Sequence, residues 1–104
     1  IFTDAPETPA PPPAAASLVA HPNPFNPRVT LRWAQPRPGP VQLAVYDLRG
    51  RLVRTLREPA AATRGETVWD GTDGAGQAVA SGVYLVRMRG MDGATATRRV
   101  VLAR

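Results

Sequence analysis

Residues that carry catalytic or metal-binding chemistry are few in this sequence and stand apart from one another. His21 is the single histidine, and the chain has no cysteine. A lone imidazole lacks the co-ligands of a metal site and the nucleophile motif of a hydrolase. The absence of thiols excludes disulfides and thiolate metal sites. We therefore predict that the chain is not an enzyme and binds neither a metal nor a cofactor.

Carboxylates and glycines are densest around the segment GTDGAG at residues 71–76. Asp70, Thr72 and Asp73 supply oxygen ligands of the kind that calcium takes. Their spacing departs from the D-x-[DN]-x-[DN]-G loop, and the segment lacks the Gly-Lys-Ser/Thr of a phosphate-binding loop. The pattern favours a glycine-rich turn in which aspartate side chains bond the backbone.

Two tryptophans and two tyrosines suggest a different kind of site, a platform on which sugar rings stack: Trp33, Tyr46, Trp69 and Tyr84. Trp33 and Tyr84 fall on apolar faces of predicted strands, where packing in a core is favoured. Tyr46 lies on the opposite face from Val45 and is expected to be exposed. A carbohydrate-binding accessory domain therefore stays open as an alternative, with Tyr46 as its test residue.

The length and composition indicate one β-rich domain behind an extended arm. Of the 104 residues, 12 are Pro and 9 are Gly, and no window of about 12 residues keeps a helical period without one of them. No apolar run approaches the ~20 residues of a membrane span. Residues 1–17 are Pro/Ala-rich and predict a linker or extended arm, and residues 18–104 predict the folded domain. The start at Ile1 without Met predicts a piece of a longer polypeptide.

The charge is positive and all of the basic residues are arginine. The formal charge is +5, with −2 on residues 1–27 and +7 on residues 28–104, where all thirteen arginines lie. A basic surface of this strength suits phosphate or an acidic polymer. The arginines are spread along strands and turns, and only Arg98 and Arg99 are adjacent, which favours a solvated surface over a nucleic-acid site. We predict no nucleic-acid partner.

Period-two alternation of apolar and polar residues marks the elements that position these side chains. In residues 28–34, Val29, Leu31 and Trp33 alternate with polar residues, as in a half-buried strand. Further strands are predicted at residues 18–20, 41–47, 52–56, 66–70, 81–89 and 94–102, with turns at 35–40, 48–51, 71–76 and 91–93 and a loop at 58–65. About seven strands without a helix predict an immunoglobulin-like antiparallel β-sandwich.

The first and last segments of this domain are unusual. HPNPFNP at residues 21–27 places three prolines within six residues, which removes amide donors and predicts a stiff bend held to the core by Phe25. The last strand, residues 94–102, is a candidate sheet edge. Either a partner adds a strand to it, or it pairs only within its own sheet.

Four motifs occur in the order and spacing of a known bacterial module: HPNPFNPRVTLRW, VQLAVYDLRGRLVRTL, ETVWDGTDGAGQAVASGVYLVRM and TRRVVLAR. Together they resemble the immunoglobulin-like domain shared by flagellar hook-capping proteins and by type A sorting domains of type IX secretion. The resemblance covers residues 18–104. It implies a non-catalytic C-terminal module of a secreted or cell-surface protein, located outside the cell. An outer-membrane translocon would recognise its signal before surface attachment.

The resemblance also implies which residues carry the signal. They belong to the bend, to the turns, to the start of the strand at 81–89 and to the basic end: Pro22, Asn23, Pro24, Phe25, Asn26, Pro27, Gly50, Asp70, Gly71, Gly82, Tyr84, Arg98, Arg99 and Arg104. The implied partners are upstream domains of the parent polypeptide and the translocon. In the alternative function, a structural subunit of an extracellular appendage or filament, neighbouring subunits contact the N-terminal arm or the edge strands.

Overall fold

A computed structural model describes residues 15–90 and 93–104, and of residues 58–61 it describes the backbone alone. Within this part of the chain the polypeptide forms five antiparallel strands and no helix, and hence no helix able to cross a membrane. The strands are β1 (Ser17–His21), β2 (Val29–Tyr46), β3 (Leu52–Trp69), β4 (Gly82–Arg89) and β5 (Thr95–Leu102). The all-β prediction is confirmed. The predicted arm lies outside the described residues as far as residue 14.

The long strands β2 and β3 contribute to both layers of the structure. In the first layer, the first half of β2 pairs with β1 and with the second half of β3. In the second layer, the second half of β2 pairs with β4 and with the first half of β3, and β5 pairs with β4. Register shifts between Ala34 and Val41 bend the β2–β3 pair between these two parts. The sheet therefore curls over a core that lies between its two layers.

Two segments predicted as a turn and a loop are strand. Residues 35–40 continue β2 and residues 58–65 continue β3, so two pairs of predicted strands are halves of longer ones. The side chain of Gln35 explains the continuity. It is buried, and its Nε2 donates to the carbonyl oxygens of Gly39 at 2.9 Å and Ala62 at 2.8 Å. The bond to Ala62 joins β2 to β3, and the bond to Gly39 lies within β2, where prolines interrupt the backbone ladder.

Alternating side chains of both layers fill the core, as the strand pattern predicts. The core cluster contains Leu18, Phe25, Val29, Leu31, Trp33, Val41, Leu43, Val45, Trp69, Tyr84, Val86, Met88, Val100 and Leu102. The Nε1 of Trp69 donates to the Thr72 carbonyl at 2.8 Å. The buried Nε1 of Trp33 makes no hydrogen bond with any described residue, and its ring packs against Gly65. The indole N–H of Trp69 is thus satisfied within the fold, whereas no described residue accepts from that of Trp33.

We expect Gly65→Ala to destabilise the fold by about 1–3 kcal/mol, because a β-carbon at this position would overlap the Trp33 ring. Gly74→Ala is the matched control, since a β-carbon there meets nothing within 4 Å. Its free energy of unfolding should change by less than about 1 kcal/mol. Urea unfolding followed by tryptophan fluorescence measures both. Equal stabilities of the two variants would contradict the close packing of Trp33 on Gly65.

Candidate recognition surface

The HPNPFNP bend lies along the outer edge of β5 and takes the place of a neighbouring strand. The Asn23 side chain imitates a peptide group: its Nδ2 donates to the Arg99 carbonyl and its Oδ1 accepts from the Val101 N–H, both at 2.9 Å. The Phe25 backbone continues this pairing. Its N–H donates to the Val101 carbonyl and its carbonyl accepts from the Ala103 N–H, both at 2.9 Å. The bend runs parallel to β5 at this point.

These contacts bear on the two alternatives for the last strand. Between Arg99 and Ala103 the outer edge of β5 is occupied by the bend. A partner strand cannot add to this stretch without displacing the bend, because each backbone group forms one ladder at a time. This part of β5 therefore pairs within its own domain, and strand addition there stays a prediction that requires the bend to leave.

Phe25 anchors the bend in the core, as predicted. Its side chain is 2% exposed, and its ring centroid lies 5.5 Å from that of Trp69. Trp69 in turn meets Tyr84 edge-on, with the centroids 5.3 Å apart. The Tyr84 hydroxyl donates to the Ala80 carbonyl at 2.6 Å. The three rings thus connect the bend with both layers of the sheet, in the tilted and edge-on geometries that aromatic pairs prefer.

Arg104 joins loops on the same side of the molecule. Its Nε donates to the Val79 carbonyl at 2.9 Å, its Nη2 to the Gly71 carbonyl at 2.8 Å, and its backbone N–H to Ser81 Oγ at 2.9 Å. Gly71 has a positive φ of 75°. A β-carbon at Gly71 would lie 2.9 Å from Arg104 Nη2 and 3.1 Å from the Pro27 carbonyl oxygen. Both the backbone conformation and this close approach require glycine at position 71.

We call Asn23, Phe25, Gly71, Tyr84 and Arg104 the terminal clasp, because their contacts close one end of the sandwich. Most of the other residues that the resemblance implied are neighbours of these five, in sequence or through a hydrogen bond: Pro22, Pro24, Asn26, Pro27, Asp70, Gly82 and Arg99. Of the bend, only Phe25 is buried, and its prolines and asparagines are exposed. The implied signal residues are thus mostly brought together in space.

Gly50 and Arg98 serve other parts of the fold. Gly50 occupies the β2–β3 turn with φ 84° and donates its N–H to the Asp47 carbonyl at 3.0 Å. The Asp47 carboxylate stabilises the same turn, and the Arg51 N–H bonded to it lowers the pKa of Asp47. The Nε of Arg98 donates to the Leu18 carbonyl at 2.8 Å and so joins β5 to β1.

The GTDGAG segment is a turn held by its aspartates, as predicted. Asp70 Oδ1 accepts from the N–H and the hydroxyl of Thr72, and Asp73 Oδ1 accepts from the N–H groups of Ala75 and Gln77. The hydrogen bond from the Thr72 hydroxyl lowers the pKa of Asp70, against an opposing effect of burial. Within the described residues, no group of three or more side chains is placed to hold a metal ion.

Gln35 and Arg54 are positioning residues that the sequence patterns did not single out. The Nη1 of Arg54 donates to Thr72 Oγ1 and to the Asp73 carbonyl, both at 2.8 Å, and so fixes the GTDGAG turn to β3. The burial of Gln35 could have been predicted, since Gln35 is the next position in the inward-facing alternation of Val29, Leu31 and Trp33. Arg54 carries no such signal, because its partners are 18 and 19 residues away in the sequence.

The aromatic residues do not form the platform considered for sugar rings. Trp33, Trp69 and Tyr84 are 3%, 0% and 7% exposed, so their faces pack in the core instead of facing solvent. Tyr46 is half-buried, which falls short of the expected exposure. The carbohydrate-binding alternative loses the stacking surface on which it depended.

Comparison with known proteins identifies similar domains. A family model described as the FlgD Ig-like domain matches residues 28–94. No protein with a curated functional description is significantly similar to the sequence. The family match covers all of β2 to β4 together with the turns between them.

Solved structures share the fold. The chain superposes with TM-score 0.72 and 27% identity on dimeric latent PorU from Porphyromonas gingivalis, covering 85% of this chain and 9% of that one. PorZ is an essential surface component of the type IX secretion system of the same organism. The match to it has a TM-score of 0.58 and 26% identity, and covers 84% of this chain and 11% of PorZ. FlgD from Xanthomonas campestris acts in hook capping. The match to it has a TM-score of 0.60 and 29% identity, and covers 86% of this chain and 62% of FlgD. The chain spans less than two thirds of each of them. The immunoglobulin-like fold is confirmed.

We expect Asn23→Ala to lower the free energy of unfolding by about 1–2 kcal/mol, because two hydrogen bonds to the β5 backbone are lost. Asn26→Ala is the matched control in the same bend. The Asn26 side chain is exposed and makes no hydrogen bond with the described part of the chain, so its removal should leave stability within about 0.5 kcal/mol. Urea unfolding compares the two. A similar loss in both variants would contradict the peptide-like role of Asn23.

Tyr84 makes stability depend on pH in the alkaline range. Burial raises the pKa of Tyr84, and the Asp47 carboxylate adds to this effect. A raised pKa in the folded state means that the stabilising contribution is complete below the unfolded value, near pH 10, and is lost as the pH rises through the folded value.

Tyr84→Phe should therefore lower stability by about 1 kcal/mol at pH 7, through loss of the bond to Ala80, and should flatten the decline in stability above about pH 10. Tyr46→Phe is the control and should keep the decline, because Tyr84 is still present. Urea unfolding between pH 7 and 11 measures both. An unchanged alkaline decline in Tyr84→Phe would refute the assignment to this hydroxyl.

Proposed function

Because the chain belongs to the family of FlgD Ig-like domains, we propose that it is a recognition module that sorts a protein through type IX secretion and holds it at the outer cell surface. The family is structural and non-enzymatic, so the chain is a non-catalytic module. In this function the upstream domains of the parent polypeptide are the cargo. The secretion translocon is the partner that recognises the module.

The observation that supports this function most directly is the similarity to PorU and PorZ. Identity with both exceeds a quarter of the aligned residues, and most of this chain is covered in each case. PorZ is a surface component of type IX secretion, so a domain of this kind occurs in a protein of that system. The structural similarity covers 85% and 84% of this chain, more than the residues 28–94 that the family model matches.

We assign recognition to the exposed bend at residues 21–27, which the terminal clasp holds in place. The hydrogen bonds and ring contacts of the clasp fix the bend before any partner arrives, and a preordered surface loses less conformational entropy on binding. Asn26 is exposed within this fixed bend, and its side chain has no hydrogen-bond partner among the described residues. Its amide is thus available to a partner, while the neighbouring Asn23 amide is engaged with β5.

A second function, as a structural module of an extracellular appendage, is favoured by the similarity to FlgD. This match has 29% identity and covers 62% of the FlgD chain. FlgD acts in hook capping during flagellar assembly. In such a role the module would contact neighbouring subunits instead of a translocon, and its contacts would persist in the finished assembly.

We expect Asn26→Ala to reduce export of a reporter protein fused in front of this chain by about tenfold, the effect of losing one contact worth ~1.4 kcal/mol. The host is a bacterium with a type IX secretion system, and the measurement is reporter on the cell surface and in the medium relative to reporter retained in the cell. Gln77→Ala, an exposed amide in the GTDGAG turn region, is the matched control and should export normally.

Stability separates recognition from folding in this experiment. Asn26→Ala should unfold at the same urea concentration as the parent chain, so that reduced export reflects a lost contact with the partner. Normal export of the Asn26→Ala variant would contradict the assignment of recognition to the bend. If the fused chain is not exported at all and forms large assemblies by light scattering, the appendage function replaces the sorting function.

A further inference from the structure

The outer surface of the second layer carries four arginines that the strand register brings together. β3, β2, β4 and β5 lie side by side in that order. One row across them is Arg57, Gln42, Arg89 and Thr95, and the next is Thr55, Ala44, Arg87 and Thr97. Arg99 stands one row further along β5, opposite Leu85. We call this surface the basic face.

The arginines of the basic face are exposed and uncompensated. The side chains of these four arginines, at positions 57, 87, 89 and 99, are exposed. None of their guanidinium groups forms an ion pair or hydrogen bond with a described residue. The basic face also has no carboxylate among its described residues. The outer surface of the first layer differs, since there Arg32 is paired with Glu66 at 2.7 Å. The basic face thus holds four of the thirteen arginines with no described carboxylate among them.

The spacing of these charges suits an extended polyanion. Neighbouring strands are about 4.8 Å apart and alternate residues of one strand about 6.7 Å apart. Arg87 and Arg89 are alternate residues of β4, and Arg57 lies two strands away from Arg89. The backbone positions of these arginines therefore recur at about 7–10 Å over a broad sheet surface. Each guanidinium group has a planar fork of donors that matches a carboxylate or sulfate group.

The residues between the arginines indicate the class of polymer. The residues that separate them include Gln42, Thr55, Thr95 and Thr97. Amide and hydroxyl groups both donate hydrogen bonds to sugar hydroxyls and accept from them. Nucleic acids are usually held by aromatic rings that stack on bases or by an element that enters a groove. The described part of the basic face has neither, since its tyrosine, Tyr46, is half-buried.

We propose that the basic face binds a linear acidic polysaccharide, whose carboxylate or sulfate groups pair with the arginines and whose hydroxyl groups bond the intervening Thr and Gln side chains. This site goes beyond the sorting function and involves a different surface. The two surfaces adjoin at Arg99, whose carbonyl oxygen accepts from Asn23 Nδ2, and the arginines of β4 and β3 lie further across the sheet from the bend.

The test compares two double variants with the same loss of charge. Arg87→Gln with Arg89→Gln removes two charges from the basic face, and Arg28→Gln with Arg49→Gln removes two exposed charges elsewhere. Binding of the whole chain to immobilised polygalacturonate, neutral dextran and a 20-nucleotide oligo(dT) is measured between 50 and 200 mM salt. We expect binding to polygalacturonate alone, weakened about tenfold by the first pair and by less than about twofold by the second.

Each other outcome overturns the proposal. Equal weakening by the two double variants would mean that net charge, not the basic face, attracts the polymer. Binding to oligo(dT) that is as strong as binding to polygalacturonate would assign the face to nucleic acid. Binding to none of the polymers at 50 mM salt would leave a solvated surface. Thermal unfolding of all variants controls for folding, and Arg87→Glu with Arg89→Glu provides a second variant that should abolish binding to polygalacturonate.

Discussion

The insertion of Phe25 between the two layers is the contact on which the closed end of the sandwich depends. Three prolines leave the bend around it poor in backbone donors, so the bend cannot form a regular strand. Burial of the ring against Trp69 fixes the bend next to β5, and within the same bend the Asn23 amide replaces the missing peptide group. Arg104 and Gly71 complete the same end. A proline-rich segment thus becomes part of the sheet through one side chain.

Much of this architecture follows from alternation in the sequence. Burial of one face imposes a period of two, so strands and core residues such as Trp33 and Tyr84 can be predicted from the sequence alone. The prolines at 36, 38 and 40 are misleading, because they normally end paired strands, whereas the buried Gln35 amide joins β2 to β3 across them. The Asp70 and Asp73 turns are predictable, since their bonds are local.

The candidate sites are harder to predict because they depend on long-range register. Asn23 and Arg99 are 76 residues apart. No local sequence pattern shows that the Asn23 side chain takes the place of a strand beside β5. The alternation of β4 places Arg87 and Arg89 on one face, but their alignment with Arg57 requires the pairing of β3, β2 and β4. The sequence therefore shows the charge and the bend, and only the fold shows what each of them adjoins.

The parallel alignment of the bend with β5 has a mechanical consequence. In a parallel pair, tension applied to the chain before Asn23 and after Ala103 pulls the two segments in opposite directions along their common axis. The hydrogen bonds of Asn23 and Phe25 to the β5 edge are then loaded in shear and share the force, whereas an unzipping geometry would break them one after another. Forced unfolding is governed by the barrier to rupture. A module attached at both ends would for this reason resist being drawn apart.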